Sequence, residues 1–169
     1  MYLLLVASLN ENMKLARRIE KSLETLGVKS KIINLVDLNI TLYDSTKEEN
    51  DGIPSKITEL SSTMKTASGY IVVSPEYNYS IPPTLTNVIA WLSRNGEDFR
   101  ELFTLKYIQL ATHSGVGGND VCNAMRLQFS KLGAVVAPRE IVTTPKKEVE
   151  EGSLQRILSQ FVSISQKPL

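Results

Sequence analysis

The 169-residue chain is 42% hydrophobic and 22% charged, an ordinary globular composition, and its length predicts a single domain over residues 1–169. A net charge of +1 supplies no global field for nucleic acid, and the lone Cys122 excludes an intrachain disulfide, a Cys-x-x-Cys redox pair and a cysteine-rich zinc site. The first apolar run, Tyr2–Ala7, is too short to span a bilayer and lacks a basic lead-in, so the expectation is a soluble, cytoplasmic chain without a membrane or nucleic-acid partner.

Tyr2–Val6 reads as a buried strand. Leu15, Ile19, Leu23 and Leu26 then recur at helical spacing and predict a helix over Met13–Leu26, stopped by Gly27. Lys31–Leu35 is a second strand. Val36–Gly52 reads as irregular, with the polar run Ser45–Asp51 a solvated loop. A connection of that length is often functional. Pro54 lies near the first turn of a helix running to about Ala67. Gly69–Val73 is the third strand. Pro83–Arg94 is a helix with Leu85, Val88, Ile89 and Leu92 on one face. Tyr107–Ala111 is the fourth strand. Val121–Leu132 is a helix ended by Gly133. Val135–Val142 holds a fifth strand, interrupted near Pro138, and Ser153–Ile164 is the last helix.

This alternation predicts an α/β fold: a flavodoxin-like, doubly wound, five-stranded parallel sheet of order 2-1-3-4-5 with helices on both faces. A Rossmann-like half domain is the other arrangement with the same alternation. Ligands of open α/β sheets sit at the carboxyl ends of the strands, which directs attention to three loops.

The first loop, Ala7–Met13, offers Ser8, Asn10 and Asn12 just before a helix whose free amides and dipole favour a phosphate. Ordinary capping accounts for the same residues. The second, Ser74–Pro82, bends at Pro75. It presents backbone amides, Asn78 and the stacking surfaces of Tyr77 and Tyr79, as a flat heteroaromatic ring would need. A Pro- and Asn-rich turn before a Pro-initiated helix explains it equally. The third, Thr112–Asp120, carries three glycines that let backbone approach a ligand closely. His113 is the single histidine, without a partner set for a metal or a nucleophilic triad. No Gly-x-Gly-x-x-Gly, Walker lysine or Gly-x-Ser-x-Gly motif is present. Together the three loops have room for a phosphate at one end and a planar ring at the other, the shape of flavin mononucleotide (FMN).

At these residues the chain resembles the NADPH-dependent FMN reductase family, flavodoxin-fold enzymes that include quinone, azo-dye and chromate reductases. The resemblance spans nearly the whole chain. It is most specific at Pro75-Glu76-Tyr77-Asn78, Ser80, Pro82 and the following Leu85-x-Asn87-x-Ile89-x-Trp91-Leu92 helix. Ser114-Gly115-x-Gly117-Gly118 is similar to the family's glycine-rich loop. The first loop departs from the family pattern Gly-Ser-x-Arg, then Ser-x-Asn: Ala7 stands for the Gly, no Arg follows Ser8, and the loop is shorter. Losing that Arg removes a charge-assisted contact worth about 1.5–3 kcal/mol.

The resemblance implies FMN held by Ser8, Asn10, Asn12, Met13, Pro75, Glu76, Tyr77, Asn78, Tyr79, His113, Ser114, Gly115, Gly117 and Gly118. It implies NADPH or NADH as hydride donor to flavin N5 and a ping-pong transfer to a small-molecule electron acceptor, with no catalytic side chain. It also implies a homodimer or homotetramer through the 83–94 helix, where Trp91, off the apolar stripe, is expected to be an exposed anchor. Two other readings share the fold. A flavodoxin-type electron carrier would need a Thr-Gly phosphate loop and an acidic surface, neither of which is seen. A binding domain without turnover is consistent with the altered first loop.

Overall fold

The computed structural model describes residues 1–166. Its first strand, β1 (Tyr2–Val6), lies inside the sheet and is fully buried. A strand's side chains alternate between faces, and here both faces are apolar. Leu3 and Leu5 join one core layer, and Tyr2, Leu4 and Val6 the other. β2 (Ser30–Asn34) and β3 (Gly69–Val73) flank β1 in parallel, and β4 (Tyr107–His113) pairs with β3. The sheet order is β2-β1-β3-β4-β5, the flavodoxin-like arrangement predicted. α1 (Asn10–Thr25) and α6 (Glu151–Ser165) cover one face through Leu15, Ile19, Leu23, Leu154, Leu158 and Phe161. α3 (Ser55–Lys65), α4 (Pro83–Leu92) and α5 (Asn119–Lys131) cover the other.

The fifth strand position is filled in two pieces. β5 (Val135–Val136) pairs with Tyr107 and Ile108, and β6 (Ile141–Thr143) with Ala111, Thr112 and His113. Between them the chain bows out around Pro138, which has no N–H for the ladder. The buried Gln109 fills the gap by donating to the Arg139 carbonyl at 2.6 Å. Because β6 continues past the end of β3, β4 reaches His113, two residues beyond the predicted strand.

Two expectations are corrected here. The Ser45–Asp51 run is not a loop but a helix, α2, with none of its residues buried. Asp44 caps it by accepting from Lys47 N at 2.8 Å, a device a charge count does not register. Trp91 is not an exposed anchor: it is 1% exposed. Its indole donates to the Thr41 carbonyl at 2.8 Å, and its ring meets Tyr43 edge-on at 5.0 Å. Asn87, one turn earlier, accepts from Tyr43 N at 2.8 Å and donates to the Thr41 carbonyl at 3.1 Å. The two residues off the apolar stripe thus bind the strap between β2 and α2 onto α4. Residues i and i+4 share a helix face, and the strap needs donors and acceptors there because its own backbone has no sheet partner.

Candidate cofactor site

The three loops meet at the carboxyl edge of β1, β3 and β4. Loop one enters α1 through Asn10, whose φ is +54°. No side chain caps this helix, so its first amides face outward beside Ser8 and Asn10. Ser8 is half-buried, and its hydroxyl donates to the Leu9 carbonyl at 3.1 Å. Glu11 pairs with Lys14 at 2.6 Å, and that hydrogen bond holds its carboxyl below the usual range.

Asn12 is spent differently. It is buried, and its amide donates to the His113 carbonyl at 3.0 Å while its oxygen accepts from His113 N at 2.8 Å. β3 has ended by this level: its last pairing is Val73 with Ala111. The carboxamide therefore stands where the next strand's backbone would be. His113 Nδ1 lies 2.9 Å from the Thr143 hydroxyl. Met13 packs against the α1–α6 core layer. His113 and Met13 support the loops, while Asn12 lines the cleft with one N–H and its oxygen engaged by the His113 main chain.

Loop two carries Pro75, buried, and Glu76, half-buried with Oε2 enclosed and without a partner. Tyr77 and Ser80 exchange two backbone bonds of 3.1 and 3.0 Å around Asn78 and Tyr79. Both central residues have positive φ, +49° and +60°, a type I′ hairpin turn. In loop three the Ser114 hydroxyl accepts from Val116 N at 3.2 Å, while Gly115 and Val116 are exposed. Gly118 has φ +80°, and a Cβ there would lie 2.6 Å from Thr112 Cγ2. Thr112 Oγ1 is buried beneath this loop without a partner.

A cleft of about 420 Å³ lies at this edge, lined by Ser8, Leu9, Asn10, Val36, Tyr77 and Thr84. Val36 and Thr84 also border a second hollow of about 320 Å³ beneath the strap. Neither residue was singled out from sequence: Val36 opens the irregular stretch after the second strand, and Thr84 lies at the start of the predicted Pro83–Arg94 helix. Only the pairing of β2 with β1 and the entry angle of α4 bring them here. Another hollow, of about 780 Å³, opens at the opposite edge beside Arg17, Lys21 and Lys29. It lies at the amino ends of the strands, away from where open α/β sheets hold ligands. Among the described residues there is no acid, His or Cys cluster that could hold a metal, and no helix is long and apolar enough to cross a membrane.

The sheet order, the open helix start and the strained or glycine-lined loops at one edge define a flavodoxin-like cofactor-binding α/β protein. Residues 2–148 match the family described as NADPH-dependent FMN reductase, and the chain belongs to that family. A quinone reductase from Escherichia coli K12 is 43% identical over 56 residues, covering 33% of this chain and 30% of that protein. The NADH:(hydroxy)cinnamate reductase subunit CrdA of Vibrio ruber is 30% identical over 92 residues, covering 53% of this chain and 45% of its own. The chain thus matches under half the length of these relatives. In structure it is similar to FerB, a flavoenzyme NAD(P)H:(acceptor) oxidoreductase from Paracoccus denitrificans. The TM-score is 0.79 at 20% identity, over 98% of this chain and 96% of that one.

FMN, with NAD(P)H as its reductant, is the cofactor of this family, and the residues present fit it. The uncapped amides of α1 suit a phosphate. Gly118 admits only hydrogen at its Cα because loop three folds down onto Thr112, Val142 and Ser114, which leaves the loop's exposed backbone on the cofactor edge. The orphaned Glu76 and Thr112 oxygens mark polar groups without partners among the described residues, which a folded chain rarely leaves unmatched. The misfit is confined to the phosphate end, where Glu11 stands and no Arg does.

Proposed function

We propose that this chain is an FMN-dependent NAD(P)H oxidoreductase that reduces a small oxidised acceptor such as a quinone, a flavin, an azo or nitro compound or a metal oxyanion. Bound FMN would supply the redox chemistry, accepting a hydride from NAD(P)H and passing two electrons on to the acceptor in a ping-pong cycle. The chain's own residues bind and orient. Ser8, Asn10 and the first amides of α1 hold the phosphate. The Pro75–Tyr79 backbone lines the ring, and the Ser114–Gly118 amides stand at its far edge, where donors stabilise developing negative charge. His113 and Met13 support these loops from behind, and Asn12 both lines the cleft and holds His113. Family membership supports this reading. The observation that carries it is the convergence of three unusual loops on one sheet edge, two of them tied by the Asn12–His113 staple.

A cytoplasmic setting and a homodimer or homotetramer through the 83–94 helix belong to the same proposal. With Trp91 inside its own subunit, the exposed Pro83, Thr86 and Arg94 would carry the contact. A second reading, flavin binding without turnover, is favoured by one observation: the acid Glu11 and the missing Arg at the phosphate turn.

The deciding experiment is a visible spectrum after FMN addition and desalting, followed by anaerobic NADPH or NADH and then a quinone. Retained flavin bands that bleach with the nucleotide and return with the quinone are expected. Bands that are retained but do not bleach favour the second reading. No retained flavin overturns both.

A further inference from the structure

The second position of the hairpin turn at the site is occupied against its own steric preference. A type I′ turn needs positive φ at both central residues, and Asn-Gly is the favoured pair because glycine has no Cβ to clash. Here the pair is Asn78-Tyr79, with Tyr79 at φ +60°. Nothing in the fold compensates: the ring is 67% exposed and belongs to neither core layer. Among the described residues it makes no aromatic pair, and its hydroxyl makes no hydrogen bond. Strain held without a folding benefit, at the edge of a ligand cleft, points to function.

Its surroundings say what it meets. Tyr77 lines the cleft and is 53% exposed, and Val116 of loop three is 70% exposed, so aromatic and aliphatic side chains stand free on this sheet edge. Residues 7–13, 74–82 and 112–120 contain no Lys or Arg but do contain Glu11, Glu76 and Asp120. Glu11 is matched by Lys14 at 2.6 Å, so the charge is near balance at loop one. Beside Tyr77 and Tyr79 no Lys or Arg of these loops offers a compact anion a partner, whereas a neutral planar ring meets aromatic surface.

We propose that Tyr79 is a specificity-determining residue: its ring packs on the acceptor and selects neutral planar oxidants over anionic ones. This rests on the oxidoreductase reading, and equilibrium binding keeps the two apart. The probes are 1,4-naphthoquinone, neutral and planar, and ferricyanide, a compact anion. FMN-loaded wild type, Tyr79→Gly and Tyr79→Phe are titrated with naphthoquinone by fluorescence quenching, then assayed with each oxidant and NADH or NADPH.

Tyr79→Gly is expected to keep FMN and its thermal midpoint, because relief of the left-handed strain offsets glycine's larger chain entropy. Its naphthoquinone affinity should fall roughly three- to tenfold, the size of a lost aromatic contact. KM for naphthoquinone should rise in parallel, and the ratio of naphthoquinone to ferricyanide kcat/KM should fall by roughly the same factor, whatever the variant's absolute turnover. Tyr79→Phe should resemble wild type. Absence of naphthoquinone binding to the wild type, or unchanged binding by Tyr79→Gly, overturns the proposal whatever the turnover. So does a lowered midpoint in the apoprotein, or a changed oligomeric state by light scattering; either gives Tyr79 a structural or subunit role instead. A wild type that binds naphthoquinone but does not turn over takes down the enzyme reading alone.

Discussion

Asn12 and His113 lie 101 positions apart and are joined by two hydrogen bonds, 3.0 and 2.8 Å, between one carboxamide and one residue's main chain. The pair ties the start of α1 to the end of β4, so loops one and three share one rigid support.

Asn12→Ala removes both bonds and leaves the His113 N–H and C=O without their partner in a water-poor setting. The expected loss is about 2–4 kcal/mol, since each stranded group costs about 1–3 kcal/mol. It is measured as a lower urea midpoint with unchanged slope. FMN affinity should fall as well, because Asn12 lines the cleft besides holding His113. Wild-type stability in this variant would show that the staple is incidental.

Gly118→Ala tests the close approach of loop three. The added methyl meets Thr112 Cγ2 at 2.6 Å, on a backbone with φ +80°. Left-handed strain and overpacking together are expected to cost more than about 2 kcal/mol. A variant that folds with normal stability and normal FMN retention would contradict this.

The strap between β2 and α2 depends on the polar face of α4. Trp91→Phe keeps the ring but loses the bond to the Thr41 carbonyl, and should cost about 1 kcal/mol. Asn87→Ala loses both its acceptor and its donor role and should cost more. Amide hydrogen exchange should quicken at residues 40–43 in both variants, with the protection of β1 and β3 unaltered.

Burial pushes the Cys122 thiol up to about 12 from its ordinary 9.0, with the Glu140 charge adding to the effect. The folded chain therefore holds this proton more tightly than the unfolded chain does. The stabilisation is complete below pH 9 and is lost as pH rises from 9 toward 12. Burial raises the Tyr70 phenol in the same sense. Denaturation midpoints should be flat in this respect from pH 7 to 9 and fall above it. Iodoacetamide at pH 8 should label Cys122 only after unfolding. Rapid labelling of the native chain would contradict the burial.

The sheet was legible because its strands are short runs with no polar alternation. Residues such as Leu3-Leu4-Leu5-Val6 and Tyr70-Ile71-Val72-Val73 have a low-energy place only between two helical layers. The loop motifs were legible because unusual chemistry is concentrated in few residues: Pro75, the Asn78-Tyr79 turn and the glycines after His113. Trp91 was misread for a specific reason. Its position off the Leu85–Leu92 stripe is real, but periodicity records only which face a residue occupies, not what covers that face. The strap that covers it comes from 50 positions away. α2 was missed because a short polar helix carries no apolar pattern, and its cap and Glu48 contacts with Tyr43 and Arg94 are individual bonds.

The sequence by itself determined the layer architecture, narrowed the strand order to two doubly wound arrangements and pointed to the carboxyl edge of the sheet, because these follow from local hydrophobic pattern and from the handedness of parallel connections; the pairing of the strands fixed the order. The tertiary structure alone decided which candidate residues face the cleft. Met13 is turned against the core layer, Asn12 lines the cleft while bound to His113, Val36 and Thr84 are brought into its wall, and Tyr79 is left exposed in a strained turn. Side-chain destinations depend on partners tens of residues away, and local pattern carries no information about such distant hydrogen bonds and contacts.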